Sequence, residues 1–219
     1  MKSPVIAALV AGLVSAPAFA NVITLDFEGV TSFASIDQYY NGGKDGNANG
    51  PGPKLGTVFG PDALAFVNDP AAPTFVNEPS PDTVMSPVGG SATLNFLLGA
   101  GFSAVSFYYS SPAAATVRLW SGLNGTGTEV GHIDLTNNQA NCTSPAFCQW
   151  NLVSAGALNG IGRSITFSDA ATVAAAFDNV SLTVVPAPAP LALLTFGLAG
   201  LGISRRRAGR SAGRELTTA

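Results

Sequence analysis

The sequence predicts an all-β sandwich bracketed by two apolar terminal segments. Two observations lead there. Between residues 21 and 184 no long stretch carries a helical hydrophobic period, and short apolar or alternating segments recur instead, separated by Gly, Pro, Asn and Ser clusters. Charge is scarce, at 11% of residues, while 25 glycines and 15 prolines supply frequent turns. Many short strands at this spacing suit a β-sandwich or jelly roll.

The candidate strands run, in order, through Val22–Phe27, Val58–Phe66, Ser91–Phe96, Ala104–Tyr109, Thr116–Trp120, Glu129–Leu135, Gln149–Val153, Ser164–Phe167 and Ala175–Val184. The clearest hairpin joins Ala115–Trp120 to Thr128–Leu135 through a Gly-rich turn, where glycine accepts positive φ. Residues 41–56 and 69–90 are too rich in Gly and Pro for regular structure and read as surface loops, where binding residues usually sit on a β scaffold.

The ends read as addresses. Residues 1–20 combine Lys2, an apolar Val5–Val14 run and Ala18-Phe19-Ala20, the small-x-small pattern cut by signal peptidase. The mature chain is therefore expected to start at Asn21 and to fold outside the cytoplasm. The ectodomain is expected over 21–184. A Pro-rich segment follows over 185–190, then an uncharged transmembrane-like helix over 191–204, then a basic cytoplasmic tail over 205–219. The run Leu191–Ile203 covers about 20 Å as a helix, which reaches spanning length only with the Pro segment added. Arg205-Arg206-Arg207 is a basic stop that stays on the cytoplasmic side.

This three-part order resembles the PEP-CTERM sorting tag of Gram-negative bacteria. Val185, Pro186 and Pro188 keep the family's Val-Pro-x-Pro, with Ala187 where the family has Glu, and LALLTFGLAGLGISRRR follows the expected helix and arginine cluster. The resemblance implies an exosortase-type sorting enzyme as partner, membrane association before sorting, cell-surface or extracellular delivery, and a host that makes exopolysaccharide.

Composition restricts the chemistry. Residues 21–204 hold only Lys44, Lys54, Arg118 and Arg163 against twelve acidic side chains, which argues against nucleic-acid binding. With one histidine and two cysteines, four good N/S ligands for structural zinc are not present. Cys142 and Cys148, close together in an exported chain, are expected to form a disulfide that staples one loop. His132 is the sole histidine, no G-x-S-x-G elbow exists, and no catalytic residue is recognisable.

Thr24–Gly29 and Ala176–Leu182 resemble the opening and closing strands of jelly-roll families related to carbohydrate-binding modules and MAM domains. That resemblance implies a structural Ca²⁺ ion held by Glu28 and Asp178, with Asp26 and Asn179 nearby. Asp45-Gly46-Asn47-Ala48-Asn49-Gly50 also matches the first half of an EF-hand loop, but Gly56 stands where the bidentate Glu is required. Exposed aromatic rings are platforms for sugar rings. Tyr39 and Tyr40 beside the Gly-rich loop are the candidate ligand-binding pair, with Tyr108-Tyr109, Trp120 and Trp150 as further choices that a sandwich core could equally claim. The leading expectation is a non-enzymatic exported surface or matrix protein that binds extracellular polysaccharide. An extracellular glycan hydrolase and a structural adhesive protein without a defined ligand are the alternatives.

Overall fold

A computed structural model describes residues 21–143, 147–168 and 175–187. The signal segment, Pro188 and the Arg205-Arg206-Arg207 cluster lie outside the described residues. Eleven strands and no helix are found in the described part. They are β1 (Asn21–Leu25), β2 (Thr57–Phe59), β3 (Ala63–Val67), β4 (Thr83–Pro87), β5 (Ser91–Phe96), β6 (Gly101–Ser110), β7 (Ala115–Trp120), β8 (Glu129–Leu135), β9 (Asn151–Ala155), β10 (Ser164–Ser168) and β11 (Ala176–Val185).

Two antiparallel sheets form a β-sandwich. The six-stranded sheet has the order β3-β4-β11-β6-β9, with β1 also paired to β11, and the five-stranded sheet has the order β2-β5-β10-β7-β8. Alternation along the strands sends one set of side chains between the sheets. Phe107 and Phe177 from the first sheet meet Phe167 of the second, with ring centroids 4.8–5.9 Å apart. Phe96 and Phe102 make a second bridge at 6.2 Å. Burying one such ring is worth about 1.5–3 kcal/mol, so these aromatic contacts carry much of the core.

The two ends of the described chain lie side by side. β1 pairs with β11 over Asn21↔Val184 through Leu25↔Val180. β11 is bulged at Asn179 (φ 49°), between the pairs Asp178↔Tyr108 and Ser181↔Ser106. The free edge of β3 is covered by residues 33–36: Phe33 N–H donates to Ala65 O, Ile36 N–H to Ala63 O, and Ala65 N–H to Ala34 O. That backbone pairing blunts an edge that would otherwise template aggregation.

Two expectations are corrected. Val58–Phe66 is not one strand, because Gly60-Pro61-Asp62 breaks it and sends β2 and β3 into different sheets. Residues 69–90 are not all loop, since β4 lies within them. All five β4 residues are buried, so the strand has no polar alternation to betray it. The β7–β8 hairpin is as expected, with Asn124, Gly125 and Gly127 at positive φ in its turn.

Candidate functional site

The terminal strands bring the expected acidic residues together. Asp178 is fully buried. Its carboxylate accepts the Ser80 N–H (2.7 Å), the Ser80 hydroxyl and the Asn179 N–H. Glu28 accepts the N–H groups of Asp82 and Thr83 (3.0 and 2.9 Å) and the Thr83 hydroxyl. The 80–83 turn is thus tied both to β11 and to the segment just after β1. Burial pushes the Asp178 carboxyl up to about 6, and the Glu28 charge adds to the rise, against the lowering pull of the Ser80 and Asn179 donors.

One feature of this junction exceeds ordinary hydrogen bonding. Ser80 Oγ has a single proton, yet four oxygens lie around it at 2.8–3.1 Å: Asp26 O, Thr83 O and both carboxylate oxygens of Asp178. Such an all-oxygen set has the chemistry of a hard-cation site. The set contains one carboxylate, that of Asp178, and two backbone carbonyls. Among the described residues no group of three or more His, Cys, Asp or Glu side chains is placed to hold a metal. Asp26 turns its side chain elsewhere, to the Tyr40 hydroxyl (3.0 Å) and the Glu28 N–H. Asn179 supplies its backbone N–H.

Tyr39 and Tyr40 do not form an exposed pair. Tyr40 is 1% exposed and packs edge-on against Phe27, so it is a core residue. Burial first, and then the Asp26 charge, drive its phenol above the ordinary range. Tyr39 is partly buried against the same core. The Asp45–Gly50 loop is internally closed. Asp45 accepts N–H groups from Thr31, Asn47 and Asn49 at 2.8–3.0 Å. Burial works to raise the Asp45 carboxyl, but those donors hold it below its usual range.

The Cys142–Cys148 disulfide is present, with Cα atoms 5.7 Å apart. It borders a small second core of Phe75, Val84 and Ala176, with Phe66, Phe147 and Trp150 against it. Trp150 donates its indole N–H to Val76 O (3.1 Å). This cluster covers part of the six-stranded sheet's outer face. Elsewhere that face holds a depression of about 230 Å³ lined by small and hydroxyl residues, among them Ala104, Ser106, Ser154, Ser181 and Thr183.

The outer face of the five-stranded sheet is built differently. Trp120 is half-buried there, and its indole N–H donates to Thr166 Oγ1 (3.1 Å), fixing the ring across β10. The β7–β8 turn folds back beside it. Gly125 N–H donates to Ser164 Oγ, which donates to Gly122 O. Asn95 and Asn124 exchange two bonds, Nδ2 to Oδ1 at 2.7 Å and Asn124 N–H to Asn95 Oδ1. On the other flank Arg118 donates to Glu129 (2.8 Å), and Glu129 also meets His132 Nδ1 (2.9 Å). The Arg118 bond, together with the His132 contact, holds the Glu129 carboxyl below its usual range. A fixed aromatic ring with amide, guanidinium, carboxylate and imidazole groups around it can stack on one sugar ring and hydrogen-bond its hydroxyls. Of the aromatic choices open in the sequence, this arrangement singles out Trp120; its sequence signal was only the adjacent Gly-rich turn.

No protein-family model matches the sequence, and no curated protein matches it. Among solved structures, the chain is similar to the K2 cleaved adhesin domain of Lys-gingipain (TM-score 0.50, 13% identity, 75% of this chain and 100% of that one). It is also similar to CBM29_1, a family 29 carbohydrate-binding module from Piromyces equi (TM-score 0.42, 9% identity, 77% of this chain and 93% of that one). A third is CsCBM6-3 from Clostridium stercorarium in complex with cellobiose (TM-score 0.36, 16% identity, 59% and 86%). At the identity of the adhesin domain, the likeness is one of β-sandwich fold.

Proposed function

We propose that this chain is an exported, non-enzymatic cell-surface or matrix protein of jelly-roll type that binds extracellular polysaccharide. The Trp120 face of the five-stranded sheet carries the reading: one indole pinned by Thr166, with Asn95, Asn124, Arg118, Glu129 and His132 around it. The PEP-CTERM-like tag belongs to the same proposal, with signal peptidase and an exosortase-type enzyme as processing partners. It gains support from the register that pairs Asn21 with Val184, and from the exposure of Pro186 and Ala187 directly after β11. Both processed ends would then leave the same end of the sandwich.

A Ca²⁺ ion at the terminal junction completes the proposal. The Asp178 and Glu28 carboxylates and the Asp26 and Thr83 carbonyls are the groups that would hold it. The ion would supply positive charge where Ser80 has one proton for four oxygens.

The test of the binding reading is affinity electrophoresis through gels containing neutral or acidic polysaccharide. The wild-type chain is expected to be retarded by at least one polymer, and Trp120→Ala to be released. Wild-type migration unaffected by every polymer, or full retardation of Trp120→Ala, contradicts the reading.

A further inference from the structure

Phe33 is the most exposed large hydrophobic side chain among the described residues, at 72%, and its backbone is left-handed, with φ 61°. That conformation suits glycine or asparagine and is disfavoured for a bulky L residue. Phe27, in the same loop, has the same strain at φ 63°, but it is fully buried against Tyr40 and Phe59. Core packing offsets the cost at Phe27. At Phe33 no comparable burial does, although a glycine there would fold at lower cost. A strained side chain kept in solvent is a reason to look for a ligand.

The ring is held firmly. Phe33 N–H donates to Ala65 O at 2.8 Å, and the ring stands edge-to-face on Phe66 of β3, with centroids 5.1 Å apart. Phe66 is itself packed against the second core. Ser32 Oγ, which accepts the Val67 N–H, keeps its own proton for another acceptor. Residues 29–36 and all of β3 carry no charged side chain.

We infer that Phe33, backed by Phe66, is a stacking platform for one ring of a neutral polysaccharide. The ligand class rests on the polysaccharide-binding reading; the site does not, since β3 and β7 belong to different sheets. Size decides against a protein partner. Two aromatic rings and Val67 offer a few hundred Å² at most, below the roughly 600–800 Å² that each side of a stable protein interface buries. Charge decides against an acidic polymer or an anionic lipid surface. The platform has no cation, and residues 21–187 carry a marked acidic excess.

The experiment compares full-length wild type, Phe33→Gly, Phe33→Trp and Trp120→Ala, using thermal melts and affinity electrophoresis in laminarin or hydroxyethyl cellulose. Phe33→Gly is expected to melt at the same temperature or higher, because glycine relieves the backbone, while its apparent affinity falls about three- to tenfold. Phe33→Trp is expected to retain binding. Unchanged affinity in Phe33→Gly overturns the proposal, as does a fall in its Tm, which would mark Phe33 as a packing residue. Binding to phosphatidylcholine vesicles that disappears in Phe33→Gly overturns it in favour of lipid. If the wild type binds neither glucan, the neutral-polysaccharide assignment of Phe33 falls, and the general reading falls with it only when no other polymer retards the chain. If it binds and only Trp120→Ala releases it, that reading stands and the Phe33 platform falls.

Discussion

The two sheets of the sandwich use their outer faces in opposite ways. The six-stranded sheet contains one residue among Asp, Glu, Lys, Arg and His, the buried Asp178, and part of its outer face is roofed by the Phe75–Trp150 cluster. The five-stranded sheet contains Arg118, Glu129, His132 and Asp134, all on the solvent side, around the half-buried Trp120. One sheet joins β1 to β11, the two ends of the described chain, and anchors long loops. The other leaves a polar, aromatic face open. The lesson is that an antiparallel sheet can cover much of its second face or leave it polar and open to solvent, and the placement of charge records which.

The same aromatic truncation should therefore act differently on the two sides. Phe75→Ala, in the cluster that roofs the six-stranded sheet, is expected to cost about 3 kcal/mol of stability and to leave polysaccharide binding intact. Trp120→Ala is expected to cost at least 1 kcal/mol less and to abolish binding. Chemical denaturation with gel retardation reads both, and equal stability losses would erase the contrast.

The junction at Asp178 supplies a second contrast, between pH and cation. Its carboxyl titrates at about 6 in the fold, against roughly 4 in an unfolded chain. The protonated form is therefore favoured on folding. In chelator, this group's contribution is full below pH 4 and is lost as pH rises through 6, a loss of about 3 kcal/mol. Ca²⁺ at 100-fold excess over Kd would add about 2.7 kcal/mol and remove that loss. Melts at pH 5 and 7.5, each with chelator and with Ca²⁺, are expected to diverge at the higher pH in the wild type but not in Asp178→Asn. Superimposable melts at both pH values would count against the ion.

Smaller effects follow. Replacing Cys142 and Cys148 together by Ser is expected to cost about 2 kcal/mol, because the closed loop is short. Denaturant midpoints with and without reductant check this. Arg118→Ala is expected to leave Tm nearly unchanged, since the Arg118–Glu129 pair lies at the surface, yet to weaken polysaccharide retardation.

The strands were legible wherever one face met solvent. Ser91–Phe96 and Glu129–Leu135 match β5 and β8 to the residue: β5 alternates throughout, and β8 alternates from His132 to Leu135 after a bulge near its start. β4 was not legible, since burial on both faces removes the alternation and its flanking prolines imitate a loop. The Cys142–Cys148 disulfide was readable from spacing and the expectation of export. The meeting of Glu28 with Asp178 came from resemblance; the part played by Ser80 depends on a contact across 98 positions that no local pattern encodes. Tyr39 and Tyr40 stood beside a Gly-rich loop as a candidate pair, but Tyr40 turns into the core against Phe27 and Phe59, a long-range contact that local sequence does not encode. Phe33 gave no signal, because its exposure and its positive φ both arise from the docking of residues 33–36 on β3.

The chain's two tryptophans offer the most direct test, since Trp120 lies on the open face and Trp150 packs in the second core. In a Trp150→Phe variant, indole fluorescence reports Trp120 alone. Titration with the polysaccharide that retards the protein should give a saturable change in intensity and emission maximum, with a midpoint matching the electrophoretic affinity. Retardation that persists while the Trp120 signal stays constant would contradict recognition through the five-stranded sheet.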